Sequence, residues 1–231
     1  MAPRPVHQLR QMIHQQGIVR TGVHVGEFVV ERVADRWEDW RLGVHTGQRI
    51  SPQALGVQSP DAEKYAPSDY RSLRRALAHI NIRPGQDALL DYGSGMGRVL
   101  IAAAQLPFQR VYGLELSAQL NALARANLRR ADAHLKCHDI VIVEENARRW
   151  VVPPDVTVVW FYSPFGGPTL GDTLHRLRES WQAHPRQLTI LFKDPHELEG
   201  QVPDHPWLHK TDELHRPGDH DRRRIVVYSA G

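Results

Sequence analysis

The chain predicts an α/β fold: a seven-strand sheet, mostly parallel with a C-terminal antiparallel hairpin, helices on both faces, and an N-terminal extension. Three observations carry this expectation. From residue 87 onward, apolar β-rich runs alternate with helical patterns, as in a parallel sheet covered on both sides. The first run, ALLDY, meets glycines at alternate positions, Gly93, Gly95 and Gly97, before the helix-like RVLIAAAQ, so a buried strand turns sharply into a helix. The tail has no helical pattern between its two strand-like runs, WLHKTDEL and RRIVVYSA, which HRPGDHDR joins as a Pro-Gly turn.

Taken in order, residues 1–66 are the least regular. A short amphipathic helix is expected around 6–16, EFVVERV (27–33) reads as a strand, and Gly43 to Pro67, rich in Gly, Pro, Ser and Gln, reads as loop. Too few apolar positions fall here for a separate core, so 1–66 is expected to cap a domain formed by 67–231. The helical DYRSLRRALAHI then leads through Pro84-Gly85 into the first strand. Strands are expected at 87–92, 109–115, 140–145, 156–162 and 187–193, with helices at 97–105, 117–131 and 168–183. Ser117 suits an N-cap, and Leu120, Leu123 and Leu128 form the apolar stripe of the helix it opens.

Composition narrows the class. The 231 residues are 41% hydrophobic, which is enough for one substantial core. Basic and acidic residues nearly balance, 29 against 26, and the paired arginines fall in helices among acids, so a nucleic-acid groove is not expected. Cys137 is the single cysteine, which rules out an internal disulfide and suits a reducing compartment. The sequence MAPRPVHQLRQMIHQQ lacks the roughly 7–15-residue apolar core of a secretion signal, and no apolar run approaches the roughly 20 residues of a membrane span. A soluble, cytoplasmic protein with no membrane partner is expected; the sequence sets no oligomeric state. His205, His209, His215, Asp219 and His220 cluster in the tail but match no ligand spacing, so no metal is expected.

The glycine turn carries the chemistry. Twenty-four residues beyond Asp91, Glu115 closes a second apolar run, RVYGLEL. Strand, glycine loop, helix and a second strand ending in an acid describe a pocket for an adenosine-type cofactor. A dinucleotide fingerprint, G-x-G-x-x-G, would require glycine where Arg98 stands. The pattern is instead D-x-G-x-G-x-G. A carboxylate at Asp91 would repel a pyrophosphate, whereas it tolerates a cofactor bearing an ammonium group.

ALLDYGSGMG resembles the first motif of the class I, Rossmann-like S-adenosylmethionine-dependent methyltransferases, and the likeness extends from about Tyr65 to the C-terminus. It implies S-adenosyl-L-methionine as cofactor. By the resemblance, Gly93, Ser94 and Gly95 line its methionine and ribose portions, Asp91 holds the amino group, and Glu115 accepts hydrogen bonds from the ribose hydroxyls. Asn146 is the implied adenine contact, with Glu145 as its rival, and Gly97, Leu116 and Ser163 complete the implied cofactor set. The fourth strand ends VVWFYSPFGG, similar to the Asp/Asn/Ser-Pro-Pro-aromatic motif of amino-group methyltransferases but with one proline. In overall layout the chain resembles small bacterial methyltransferases distantly similar to non-SET histone-lysine methyltransferases, through Tyr65-x-x-x-x-Tyr70, LDYGSGMGRVLIAAA, GLELS and YSPF.

The implied activity is methyl transfer by in-line displacement to nitrogen or oxygen of a small-molecule or peptide acceptor. Candidate catalytic groups are Tyr162, His196 and Tyr65, with Asp194 nearby. Competing readings are a non-catalytic S-adenosylmethionine-binding or partner-binding module and a nicotinamide-dependent oxidoreductase. An aminopropyl transferase shares the fold but would need acids at the fourth-strand end, where Ser-Pro-Phe supplies none.

Overall fold

Strands β1 (Ala88–Tyr92), β2 (Arg110–Glu115), β3 (Ile140–Glu144), β4 (Val156–Tyr162), β5 (Thr189–Lys193), β6 (Leu208–Leu214) and β7 (Ile225–Ala230) form one sheet. Their order is β3-β2-β1-β4-β5-β7-β6. The computed structural model describes residues 18–48, 50, 66–162, 165–215 and 223–231, with side chains from 29 onward. Strands β1 to β5 pair in parallel, while β7 runs antiparallel to both β5 and β6, as the helix-free tail predicts. The chain reverses direction between β3 and β4, which leaves the carboxyl ends of β1 and β4 side by side at a switch point.

Burial explains why the strands read as continuous apolar runs rather than alternating ones. All five β1 residues and the first six of β4 are buried, because helices cover both faces. One face packs Tyr92, Phe161 and Phe192 under Leu170, Leu174 and Leu177 of α5 (Gly167–Ala183). The other packs Leu89, Trp160 and Leu191 under Leu73 and Leu77 of α2 (Tyr70–His79) and Leu100 of α3 (Arg98–Ala104). Gly113 in β2 is set by this packing, since a Cβ there would stand 2.7 Å from a Leu100 methyl. The remaining helices are α1 (Ile18–Arg41), α4 (Ala118–Ala131) and the single turn α6 (His196–Glu199). Ser117 caps α4 as expected, its hydroxyl accepting from Leu120 N.

The N-terminal segment corrects one expectation. EFVVERV is not a strand but the middle of α1, despite its β-branched valines. Tertiary contacts outweigh local propensity: Glu31, Asp35, Glu38 and Asp39 recur at helical spacing and meet basic partners on the domain body. Glu31 pairs with Arg223 at 3.1 Å, Asp35 with Arg98 at 2.8 Å, and Glu38 with Arg74. After α1 the chain tucks Leu42 and Val44 against Ile101 and Ala131. The helix expected at 6–16 and most of the Gly43–Pro67 stretch lie outside the described residues. Among the described residues, no helix is long and apolar enough to cross a membrane.

Candidate functional site

Two carboxylates frame the turn from β1 to α3. Gly93, Gly95 and Gly97 all adopt positive φ, +73°, +53° and +85°. At Gly97 the backbone conformation and the packing agree, because a Cβ would lie 3.1 Å from Ala124 Cβ. The turn is tied to β2 by Gly93 N–H and Ser94 N–H, which both donate to Leu114 O. Glu115 accepts from Gly95 N at 3.1 Å through one carboxylate oxygen and from Ser117 N at 2.9 Å through the other. The acid at the end of β2 therefore braces both the glycine turn and the start of α4. Burial pushes its carboxyl upward, opposed by the backbone N–H groups of Ser117, Gly95 and Leu116.

Asp91 lies in β1 opposite Gly113 and is 2% exposed. Its Oδ2 is buried with no hydrogen-bond partner among the described residues, and burial, then the neighbouring Glu115, raises the carboxyl well above the ordinary range. Such an acid is costly to bury unless a ligand completes it. Ser94 Oγ beside it is likewise buried without a partner. These orphaned groups at a glycine turn fit a ligand that brings hydrogen-bond donors and a positive charge. They do not fit a phosphate.

Leu116, 45% exposed, follows directly. Asn146, two residues past the end of β3, turns its side chain into the loop: Oδ1 accepts from Arg148 N at 3.0 Å, while its own N–H donates to Glu145 Oε1 at 2.7 Å. The two rival candidates thus share one turn. Beside it opens a surface cleft of about 330 Å³ lined by Asn146, Arg148, Arg149, Asp172, His175 and Arg176. Arg148 is held there by Asp172.

The carboxyl ends of β4 and β5 form the second half of the site. Tyr92 stacks on Phe161, which stacks on Phe192, with centroids 4.7 and 4.9 Å apart, and Phe165 meets the first two rings edge-on. Tyr162 is half-buried with Lys193 Nζ 3.8 Å from its ring centroid. Lys193 closes β5, is fully buried, and pairs with Asp69 at 2.7 Å. Burial alone would raise the Asp69 carboxyl, but Lys193 and the Ser72 N–H outweigh it and bring it down to about 2. The next residue, Asp194, has φ +56°, a conformation seldom adopted by a residue with a side chain. His196, 3.6 Å from Asp194, projects mostly into solvent. Tyr65 and Ser163 lie outside the described residues.

Several buried polar groups here escape sequence reasoning: Lys193, Asp69, Tyr92 and Arg98. Lys193 ends the apolar run TILFK, which is a usable signal, whereas its partner lies 124 positions away. Arg98, which argues against a dinucleotide fingerprint, is buried and serves as a hub. It binds Asp35, Thr46 Oγ1 and Ser68 O, lies within 3.4 Å of Asp39, and packs over the Tyr70 ring. Among the described residues, no group of three His, Cys, Asp or Glu side chains could hold a metal ion.

Comparison with known proteins fits this geometry. No family model matches the chain. The mouse (Mus musculus) adenine nucleotide translocase lysine N-methyltransferase is 35% identical over 92 residues, which are 40% of this chain and 37% of that protein. The chain therefore matches little more than a third of the length of that curated relative. Among solved structures, an S-adenosylmethionine-dependent methyltransferase from Aquifex aeolicus superposes with a TM-score of 0.50 at 16% identity, covering 68% of this chain and 88% of that one. A precorrin 8w decarboxylase from Methanobacterium thermoautotrophicum also gives 0.50 at 16% identity, covering 72% of this chain and 92% of that one. With the sheet order above, these likenesses show the seven-strand fold of class I S-adenosylmethionine-dependent methyltransferases.

Proposed function

We propose that the chain binds S-adenosyl-L-methionine at the glycine turn and transfers its methyl group to an acceptor at the carboxyl ends of β4 and β5. The observation that carries this reading is the pairing of Asp91 and Glu115: one buried carboxylate with an orphaned oxygen, the other bracing the turn. In this reading Asp91 and Ser94 receive the amino-acid portion, Gly93, Gly95 and Gly97 let it approach the backbone, and Glu115 takes the ribose hydroxyls. Leu116 flanks the adenine and Asn146, or Glu145, contacts its edge.

When bound, S-adenosylmethionine supplies a methyl group already activated by the sulfonium. The protein's task is then to hold the acceptor lone pair in line and dry, and such positioning supplies up to about 7–11 kcal/mol. Phe165 and Tyr162 are the apolar and polar walls for that purpose. Where the acceptor must lose a proton, His196 with Asp194, Tyr162 and Tyr65 are the candidate bases, worth roughly 10²–10⁴-fold. The curated relative acts on lysine, which favours an amine acceptor, on a small molecule or a peptide, over a hydroxyl.

Calorimetry with S-adenosylmethionine tests the first half. Glu115→Ala removes charge-assisted hydrogen bonds worth about 1.5–3 kcal/mol each, so affinity is expected to drop at least about tenfold in a folded variant. Unchanged affinity would sink the assignment. An S-adenosylhomocysteine release screen over amines, phenols, carboxylates and peptides tests the second half. Cofactor binding without release on any acceptor points to a non-catalytic binding module.

A further inference from the structure

Asp91 and Glu115 stand on the same face of the sheet but in opposite surroundings. Asp91 is in register with Gly113, so Glu115 lies two residues further along the neighbouring strand, on the same side. Glu115 accepts from backbone N–H groups at both carboxylate oxygens, those of Gly95 and Ser117. Asp91 is buried, and its Oδ2 has no hydrogen-bond partner among the described residues. The equally orphaned Ser94 hydroxyl lies beside it, since a Cβ on Gly113 would stand 2.8 Å from Ser94 Oγ.

An ionised carboxylate is kept in a protein by water, by a cation or by hydrogen-bond donors. Burial removes the water, and the orphaned Oδ2 shows that donors are missing. The elements packed around Asp91 also bring no cation to it. Opposite it in β4 stands Trp160, and the first turn of α4, Ala118 to Asn121, has no charged side chain. Arg98, at the head of α3, is taken up by Asp35 and Asp39, and Lys193, in β5 beyond β4, by Asp69. The charge that does act on Asp91 is that of Glu115, and it has the same sign. Each of these surroundings favours the neutral acid. The amino-acid portion of S-adenosylmethionine supplies what is missing: an ammonium group, which keeps its proton below the ordinary α-amino range of about 7.7–8.0.

We infer that Asp91 is a proton-exchanging specificity residue, a neutral carboxylic acid in the free protein that gives its proton to solvent when an α-ammonium group enters the site. The carboxyl O–H bond breaks, the proton passes to water, and the ammonium replaces it as the partner of the carboxylate. This exchange presupposes the proposed cofactor and deepens that reading. The site then selects ligands that carry an α-ammonium, and it holds them more tightly as pH rises through the range in which the free acid is neutral.

Calorimetry on the full chain at about pH 5.5, in succinate and in MES, reads the protons released from the difference in heats, because the two buffers differ in heat of ionisation. About one proton is expected to leave on binding S-adenosylmethionine, and about one on binding S-adenosylhomocysteine, which keeps the ammonium. With 5′-methylthioadenosine, which lacks the amino-acid portion, no release is expected. Affinity for S-adenosylmethionine should rise about tenfold per pH unit while the free acid is neutral. Asp91→Asn should abolish both the release and this pH dependence. Glu115→Gln should keep most of the release, because burial acts on Asp91 more strongly than Glu115 does. Thermal melting checks that each variant folds.

Binding of S-adenosylmethionine without proton release overturns the exchange and leaves the cofactor reading standing. Release that survives Asp91→Asn and disappears in Glu115→Gln overturns it too, by moving the proton to Glu115. Equal release with 5′-methylthioadenosine does the same, since no ammonium would be involved. If none of the three ligands binds the folded protein, the cofactor reading falls and the exchange falls with it.

Discussion

The two ends of the site are built on different principles. At the β1–β2 end the groups proposed to hold the amino-acid and ribose portions of the cofactor belong to one short stretch, from Asp91 to Ser117, and backbone hydrogen bonds brace the turn. At the β4–β5 end, and behind the glycine turn at Arg98, the decisive contacts are ion pairs between residues far apart: Lys193 with Asp69, Arg98 with Asp35, Arg223 with Glu31. The first end is local geometry around an acid awaiting a partner. The second is a buried charge network that ties α1, α2, α3 and β5 into one edge. Damage to the first end should therefore appear in ligand affinity, and damage to the second in stability.

The sharpest way to break this contrast is Asp69→Asn. It leaves the Lys193 ammonium fully buried without its counter-charge, and severing a buried pair on one side costs about 3–5 kcal/mol. Urea unfolding should show that loss, while calorimetry should find S-adenosylmethionine affinity nearly unchanged in the folded fraction. Asp69→Ser/Lys193→Met removes both charges and keeps a capping hydroxyl for Ser72 N, so it should recover much of the stability. If the single substitution instead abolishes cofactor binding in a folded protein, the division between the two ends is wrong.

Acid titration separates the ends by sign. The Asp69 carboxyl titrates at about 2 when folded against an ordinary 3.8, so its contribution is complete above about pH 4 and is lost as pH falls toward 2. That is roughly 2 kcal/mol. Asp91 and Glu115 are shifted the other way, mainly by burial, and so disfavour the folded state increasingly as pH rises from the ordinary carboxyl range through their raised ones. Stability profiles of Asp69→Asn and Asp91→Asn should consequently diverge. The first should lose acid sensitivity below about pH 4, and the second should gain stability toward neutral pH. Parallel profiles would refute the assignment of opposite roles.

How far each end could be read in advance follows from the same difference. The strand run, the alternate glycines, Glu115 and the Ser117 cap are neighbours in sequence, so pattern and spacing are enough to find them. The antiparallel tail is legible for a similar reason, since the sequence between its two strand-like runs carries Pro and Gly and no helical pattern. The ion pairs were not legible, because Asp69 and Lys193 are brought together only when α2 docks over β5. EFVVERV misleads for the same cause: its valines favour a strand, and only Arg98, Arg74 and Arg223, supplied by other elements, make a helix with its acids inward the better solution.

A smaller perturbation tests whether the local end tolerates any change of backbone. Gly97→Ala forces a side chain to φ +85° and brings its Cβ within 3.1 Å of Ala124 Cβ, which sits in α4 behind the turn. A cost of about 1–3 kcal/mol is expected in urea unfolding. Affinity for S-adenosylmethionine should fall as well, since Gly97 N–H closes the turn onto Ser94 O. Loss of stability with affinity preserved would show that the turn is braced from behind and not shaped for a ligand.

The smallest expected effect concerns where the local end stops. In the proposed reading Asn146 and Glu145 are rivals for the adenine edge; they share one turn, the Asn146 side-chain oxygen accepting from Arg148 N and the Glu145 carboxylate from Asn146 N. Asn146→Ala removes the hydrogen bond that shapes the loop together with any contact to the ligand. The expected loss is about 1 kcal/mol, or about fivefold in Kd by calorimetry. Glu145 is exposed, so Glu145→Ala should change Kd by less than about twofold if it serves only the turn. The reverse ranking would move the adenine contact to Glu145. It would also mean that the site legible from sequence ends one residue earlier, with an acid closing β3 as one closes β2.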